Sequence, residues 1–445
     1  MTETGGGPLR LRKGVCFEQY GDVVYLRHTA ARKDYLFNPI ACDILRCFSG
    51  GAVRTAEEVL SALLEQYDVP DGAVFRREIV DFLRLLTEES ILTEDAPAAS
   101  PSLPDVRDRV MEHCMTEGQL FSAALELTYR CNERCLHCYI DDPEARTGAG
   151  ELTLAEYRDL LDQLRELGCL NVLLTGGEVL VRSDFLEIAE YAASLGMLVD
   201  IFTNGLGLTG DVFDRIKALR PNSLSYSLYG GSARVHDGIT QVPGSFERTL
   251  RAVMMTKCAG IDTYIKTVVM KQNLDGLEEL LQWGRRLGVP VTAGFAVLDT
   301  HTGRSARPYQ LEDLADFRRA LDLLERYQPS GSFAGIKRSP ADRVCSAGRC
   351  SLGIDPWGEV RPCMSLPVRL GNIRETSLRQ IWENAPALEK FRRGTMGDVC
   401  GTCGACPDFA YCELCLARVK DGIIPKDVCT LARAVREGAA RRPEP

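Results

Sequence analysis

Eighteen cysteines in a chain of 445 residues limit what this protein can fold into more than any other feature. Clustered cysteines in a reducing compartment are more often metal ligands than disulfides. Their spacing here is uneven: Cys131, Cys135 and Cys138 stand together, and nine more fall between Cys345 and Cys429. The other six (Cys16, Cys42, Cys47, Cys114, Cys169 and Cys258) lie among apolar residues and read as small buried hydrophobes. A cytoplasmic location is expected, because Met1 to Gly7 is Gly-rich and lacks the apolar core of a signal peptide. No run approaches the roughly 20 apolar residues that span a bilayer. A net charge of −9 argues against nucleic acid or an anionic membrane as partner.

Pattern divides the chain into three units. Residues 10–95 open with strand-like runs at Gly14–Tyr20, Val23–His28 and Asp34–Asn38. Helical spacing follows over Pro39–Phe48, Ala56–Gln66 and Glu78–Glu89. A strand ribbon followed by three helices is winged-helix-like. Residues 96–118, which begin rich in Pro, Ala and Ser, read as a linker.

From 119 to 330 strands alternate with helices. The strands are expected at Ala123–Thr128, Asn171–Leu174, Leu198–Phe202, Ser223–Ser227, Thr263–Val269 and Val291–Phe295. The clearest helix starts at a capping box, Thr153-x-x-Glu156, and stops at Gly168. Such repeats give parallel strands with right-handed crossovers. Six units are too few for a closed eight-stranded barrel, so the fold class is α/β, either a partial (β/α)6 barrel or an open sheet. Both bind ligands at the carboxyl ends of the strands. Residues 340–432 are Cys-, Gly- and Pro-rich and need metal to fold, and 433–445 read as a polar tail.

The unusual residues fall at those carboxyl ends. Cys131, Cys135 and Cys138 follow the first strand, and three thiolates leave one corner of a cubane open. Structural zinc would need a fourth ligand, for which only His137 is at hand. Gly176, Gly177 and Glu178 end the second strand, where glycines allow close backbone approach and the carboxylate can meet an ammonium.

This set resembles the radical S-adenosylmethionine (SAM) superfamily, whose motif is C-x3-C-x2-C after the first barrel strand. The resemblance implies a [4Fe–4S] cluster on the three cysteines, with SAM on its fourth iron and His137 near the adenine. It implies that Gly176, Gly177 and Glu178 hold the methionine amino group. Further SAM contacts are expected from Thr203 and Asn204 after the third strand, Ser225 and Ser227 on the fourth, and Lys266 on the fifth, where a solvated or structural charge is the other reading. Electron transfer to SAM would yield a 5′-deoxyadenosyl radical that abstracts hydrogen.

The C-terminal cysteines resemble the SPASM domain, a twin-cluster extension of peptide- and protein-modifying members. Gly358, five residues before Cys363, suggests a hairpin turn that delivers that thiolate. By the resemblance, one auxiliary [4Fe–4S] cluster takes Cys345, Cys350, Cys363 and Cys415. The other takes Cys403, Cys406, Cys412 and Cys429. Cys400 is surplus, either a plain thiol or a substitute for Cys403, and a pair of zinc ribbons is the structural alternative.

Lys33 to Leu45 and Glu57 to Tyr67 resemble the leader-recognition domain of ribosomal-peptide maturation systems. That implies a precursor peptide whose leader adds to the edge at Asp34–Asn38, with Ile79–Leu86 as the other wall. A DNA-binding winged helix is the alternative. The expected activity is peptide modification, a thioether or carbon–carbon cross-link, with an external low-potential electron donor. A maturase oxidising Cys or Ser in a folded protein, a peptide epimerase and a non-enzymatic adaptor are the rivals. No general base stands out; His236 and Asp237 are conspicuous but equally suited to structural roles.

Overall fold

The computed structural model describes residues 8–12, 14–49, 52–67, 69, 71–93, 106–328, 337–399, 403, 405–420 and 422–439. Cys400 lies outside the described residues. The N-terminal unit comprises β1 (Leu9–Leu11), β2 (Val15–Tyr20), β3 (Val23–His28), β4 (Lys33–Phe37) and α1 (Pro39–Arg46). It continues with β5 (Val53–Arg54), α2 (Ala56–Gln66), α3 (Gly72–Glu88) and β6 (Leu92–Thr93). Strands β2, β3 and β4 form an antiparallel sheet with β4 at its edge, and β5, β1 and β6 form a second small sheet. Asn38 caps α1, with the proline next in line, and a Thr55–Glu58 capping box starts α2.

The stretch expected as a linker is in part a helix, α4 (Val106–Glu117). Buried Val110 and Cys114, four residues apart, form an apolar stripe that the Pro-rich residues before it obscured. That stripe joins Cys16, Tyr20 and Tyr25 of the N-terminal sheet to Phe121, Leu170, Leu198 and Cys350 in one buried cluster.

The central strands are β7 (Ser122–Thr128), β8 (Asn171–Gly176), β9 (Leu198–Thr203), β10 (Ser223–Ser227), β11 (Thr263–Val268) and β12 (Val291–Gly294). Helices α5 (Leu154–Glu166), α6 (Phe185–Ser194), α7 (Gly210–Leu219), α8 (Ala233–Thr240), α9 (Ser245–Cys258), α10 (Leu277–Leu287) and α11 (Leu314–Tyr327) connect or follow them. The six strands run parallel in sequential order from β7 to β12. Thr153 caps α5 with the expected reciprocal box, and Gly168 follows with φ +81°.

Beyond the barrel come β13 (Ser351–Ile354), β14 (Glu359–Arg361), β15 (Gly371–Asn372), α12 (Leu378–Asn384), α13 (Pro386–Arg393), α14 (Met396–Val399) and α15 (Lys426–Ala439). The sheet does not stop at β7. Strand β13 pairs with it in parallel, and β14 and β15 extend the sheet antiparallel to nine strands. The Cys350 carbonyl accepts from the N–H groups of Phe121 and Ser122 at 2.8 and 3.1 Å, which fastens the Cys-rich unit to the first barrel strand. The expected tail is shorter than its pattern suggested: residues 433–439 continue α15, because Leu431, Ala434 and Val435 bury one face. Of the six scattered cysteines, Cys16, Cys42, Cys114 and Cys169 are buried and Cys47 is half-buried, but Cys258 is exposed at the end of α9.

The N-terminal unit sits at the amino ends of the barrel strands. Tyr20 donates its hydroxyl to Gly168 O at 3.0 Å, Arg32 pairs with Asp262 at 2.8 Å, and Arg165 pairs with Glu18. A cavity of about 460 Å³ opens inside the barrel above this floor, lined among others by Arg27, Asn171, Asp200, Lys266 and Cys363. All three units therefore border one interior space. Among the described residues no helix is long and apolar enough to cross a membrane.

Candidate active site

The rim of the barrel is built by backbone contact before any side chain is considered. Where β7 ends, Thr128 O accepts from Gly177 N at 2.7 Å and Arg130 O accepts from Glu178 N at 2.9 Å. A Cβ on Gly177 would overlap the Arg130 carbonyl, and one on Gly176 the Thr128 carbonyl. Gly176 also has φ +129°, a conformation that favours glycine. The two glycines are thus needed first to seat the second strand end against the entry to the cysteine loop.

Glu178 is 2% exposed, and its carboxylate accepts from Thr203 Oγ1 and Asn204 N, each at 2.6 Å, and from Leu180 N at 2.9 Å. Burial pushes its carboxyl up, and those three donors pull the other way. Asn204 then donates from Nδ2 to Asn132 Oδ1 at 2.6 Å. Glu178, Thr203 and Asn204 therefore lock three strand ends together, with Oε1 taking two donors and Oε2 one, so that one acceptor site is left on Oε2.

The cysteine loop leans on α8, with Arg134 N and Leu136 N donating to Thr240 O and Ile239 O at 3.0 Å. Burial pushes the Cys131 thiol up to about 12 and raises Cys135 and Cys138 as well, and each of Cys131 and Cys135 lies within electrostatic reach of the neighbouring thiols. Arg146 opposes the rise at Cys138 by donating to its sulfur at 3.4 Å. Without a metal these groups are protonated at neutral pH; a bound metal centre takes them as thiolates. Glu133, between them, is buried, with its carboxyl pushed up to about 7 mainly by burial. The Asn204 amide, bonded to Asn132, also reaches the Glu133 carboxyl and pulls it down, whereas the buried His137 Nδ1 has no hydrogen-bond partner among the described residues.

His137 packs edge-on to Tyr229 at 4.6 Å between ring centroids, and burial lowers it to about 4, so it is a neutral imidazole. Ser225 is buried and lines the interior cavity, while Ser227 ends β10 nearer the rim. Lys266 lines the same cavity, with Nζ 4.5 Å from the Phe202 ring centroid; burial lowers it and Asp200 raises it. Asp200 accepts from Asn171 and Asn222 at 2.8 and 2.7 Å and from Ser223 at 2.5 Å. His236 accepts from Tyr229 N at 3.1 Å, and Asp237 caps α9 through Gly244 N, Ser245 Oγ and Phe246 N. His236 Nε2 is buried and has no hydrogen-bond partner among the described residues.

In the Cys-rich unit, Gly358 makes the turn between β13 and β14 with φ +84°, and Cys363 follows β14. Cys345 lies within electrostatic reach of Cys350, Cys363 and Cys415. Cys429 lies within reach of Cys403 and Cys406, and Cys412 is buried in the apolar cluster that Cys403 borders. Among the described residues, no three His, Cys, Asp or Glu side chains converge as tightly as one metal ion demands. Ligands of a cubane reach separate irons and stand further apart than ligands of a single ion.

Sequence reading missed two carboxylates. Glu126, on β7, receives the hydroxyls of Tyr139 and Tyr129 at 2.6 and 2.9 Å, and burial pushes it up to about 7. Its place in an apolar run gave no signal beyond being charged there. Glu133 had one: it stands between two cysteines.

Family comparison agrees with this geometry. A model of the radical SAM superfamily matches residues 125–284, and a model of the SPASM iron–sulfur cluster-binding domain matches residues 345–407. The chain is 31% identical to an AdoMet-dependent heme synthase of Methanosarcina barkeri, over 66% of its own length and 90% of the relative's. The chain belongs to the radical SAM superfamily. This radical SAM enzyme is also 26% identical to the antilisterial bacteriocin subtilosin biosynthesis protein AlbA of Bacillus subtilis, over 86% of this chain and 88% of AlbA. Streptococcus suis SuiB bound to its precursor peptide SuiA has the same fold, with TM-score 0.63 and 17% identity over 95% of this chain and 99% of SuiB.

The cofactors of this radical SAM enzyme are [4Fe–4S] clusters and SAM. The residues present fit that set, because the cysteine loop gathers three thiols beside a buried imidazole nitrogen of His137 that lacks a partner among the described residues. When bound, SAM and its cluster supply reductive carbon–sulfur cleavage and, through it, hydrogen abstraction from an unactivated carbon.

Proposed function

We propose that this radical SAM enzyme modifies a ribosomally made precursor peptide, forming an intramolecular thioether or carbon–carbon cross-link. The observation that carries the reading is the N-terminal unit. Strand β4 is an edge, and α3 beside it presents Phe82 edge-on to Phe37 at 5.3 Å between centroids, with Leu85 44% exposed. An extended leader can add to such an edge through backbone hydrogen bonds while its apolar side chains meet the helix.

In this reading Cys131, Cys135 and Cys138 hold the first cluster, and Gly176 and Gly177 direct SAM by their carbonyls. Cys345, Cys350, Cys363 and Cys415 hold one auxiliary cluster. Cys403, Cys406, Cys412 and Cys429 hold the other. The reacting segment of the peptide enters the interior cavity, which Cys363 borders. An external low-potential donor supplies the electron.

A small-molecule synthase is the second reading, favoured by the heme-synthase relatives. Coverage supports the peptide instead: a match over 86% of this chain extends into the first 95 residues, where the leader site would be. The test is mass spectrometry of a Cys-containing peptide encoded beside this protein's gene, incubated with anaerobically reconstituted enzyme, SAM and reductant. Cross-linking removes two hydrogens, whereas epimerisation leaves the mass unchanged. Turnover of a porphyrin-type substrate with no change in any such peptide would overturn the reading.

A further inference from the structure

We propose that Lys266 holds a carboxylate of the substrate inside the barrel. The inference rests on the reading above, in which the reacting segment of a peptide enters the interior cavity. Lys266 lies two residues before the end of β11, about 7 Å below the rim at the usual strand rise, and lines that cavity. Its Nζ stands 4.5 Å from the Phe202 ring centroid, and no ion pair or hydrogen bond reaches it among the described residues.

The carboxylates that share the cavity are already answered. Asp200 takes three donors, from Asn171, Asn222 and Ser223, and attracts Lys266 without pairing with it. Asp262 pairs with Arg32 at 2.8 Å. Arg27, the other cation on the lining, pairs with Asp34 at 2.6 Å. Burial takes water from the Lys266 ammonium and lowers its pKa, and the face of one aromatic ring returns only part of that loss. An anion beside it returns the rest.

Position favours the substrate over SAM as the source of that anion. The cavity reaches down to Ser122, Asn171 and Asn222, at or next to strand starts, and to Arg27 of the N-terminal unit. None of the rim residues Gly176, Glu178, Thr203 and Asn204 lines it. The anions of an unmodified peptide at neutral pH are carboxylates, on Asp and Glu side chains and at the C-terminus. Held on Lys266, such a group fixes how deep the segment sits, and with it which carbon faces the rim.

The test is modification of the Cys-containing peptide encoded beside this protein's gene by the anaerobically reconstituted full-length enzyme, with iron content measured on the same samples. Lys266→Met raises KM for the peptide about 10-fold, the effect of losing one charge-assisted contact, at unchanged iron. Peptides with each Asp or Glu replaced in turn by Asn or Gln, and one with a C-terminal carboxamide, identify the partner. The change that raises KM on the wild type and adds nothing on Lys266→Met marks the carboxylate, side chain or terminus. An unchanged KM in Lys266→Met overturns the proposal, and so does a panel in which every change acts equally on both enzymes. Weaker SAM binding to Lys266→Met without peptide gives the carboxylate to SAM and also overturns it. Should that variant hold less iron, Lys266→Arg and Lys266→Gln are compared at equal iron, and equal KM values overturn it. A wild-type enzyme that modifies no peptide would instead overturn the peptide reading, and this proposal with it.

Discussion

The Arg130 carbonyl fills the space where a side chain on Gly177 would begin, so the second strand end and the entry to the cysteine loop touch backbone to backbone. Because Glu178 N donates to Arg130 O at 2.9 Å, that carbonyl cannot retreat without losing the bond. Gly177→Ala is expected to destabilise the fold by about 1–3 kcal/mol, as overpacking does. Thermal melting of the reconstituted protein checks this, with SAM affinity falling in the same variant. An unchanged melting temperature would mean the contact yields easily.

The first-cluster assignment predicts a quantised loss. Replacing Cys131, Cys135 and Cys138 together by alanine should remove about four of about twelve irons, since each cubane holds four. SAM cleavage should disappear while the remaining iron stays with the C-terminal cysteines. Iron analysis with electron paramagnetic resonance decides it, and loss of all iron would show that the sites do not fill independently.

The leader groove is best probed without removing its domain. Tyr20, Tyr25 and Cys16 share a buried cluster with Phe121, Leu170 and Leu198 of the barrel, so truncation at residue 95 would strip the barrel floor. Leu85, which is exposed, tolerates change more readily. Leu85→Glu should weaken leader-peptide binding about 10-fold by placing a charge against an apolar contact, while SAM cleavage without peptide stays unchanged. Fluorescence anisotropy of a labelled leader reads the first effect, and 5′-deoxyadenosine production the second.

His236 gives the fold a pH dependence. It is fully buried, receives the Tyr229 N–H on Nδ1, and burial lowers it from 6.5 to about 4. The unfolded chain therefore binds a proton more readily than the native one between those values, and stability falls as the pH drops below about 6.5. Between pH 6.5 and 5.5 this residue should cost about 1 kcal/mol, read by urea unfolding. Replacing it with glutamine should flatten that part of the profile, and a slope that persists would assign the titration elsewhere.

Much was legible in the residues themselves. Strand–helix alternation gave the six parallel strands nearly to the residue, because apolar period and capping boxes are local. The cysteine loop, the Gly-Gly-Glu end and the Gly358 hairpin were legible for the same reason. Helix α4 was hidden by the Pro-rich residues before it, and its two buried positions became meaningful only once a sheet lay against them. The extension of the barrel by β13 left no mark on the sequence, since strand pairing across more than two hundred residues depends on which edge is open.

Sequence by itself determined where along the chain the cysteines gather and, nearly, where each barrel strand would end. Tertiary structure alone decided what those residues are free to do. Glu178 and Glu133 are equivalent as letters, yet packing surrounds one with three N–H and O–H donors and sets the other between two cysteine sulfurs. Lys266 joins Asp200 in the interior cavity for a similar reason, because the face a strand residue presents depends on the closure of the whole sheet. Hydrogen-bond capacity is used up by neighbours in space, and those neighbours come from parts of the chain that no local pattern connects.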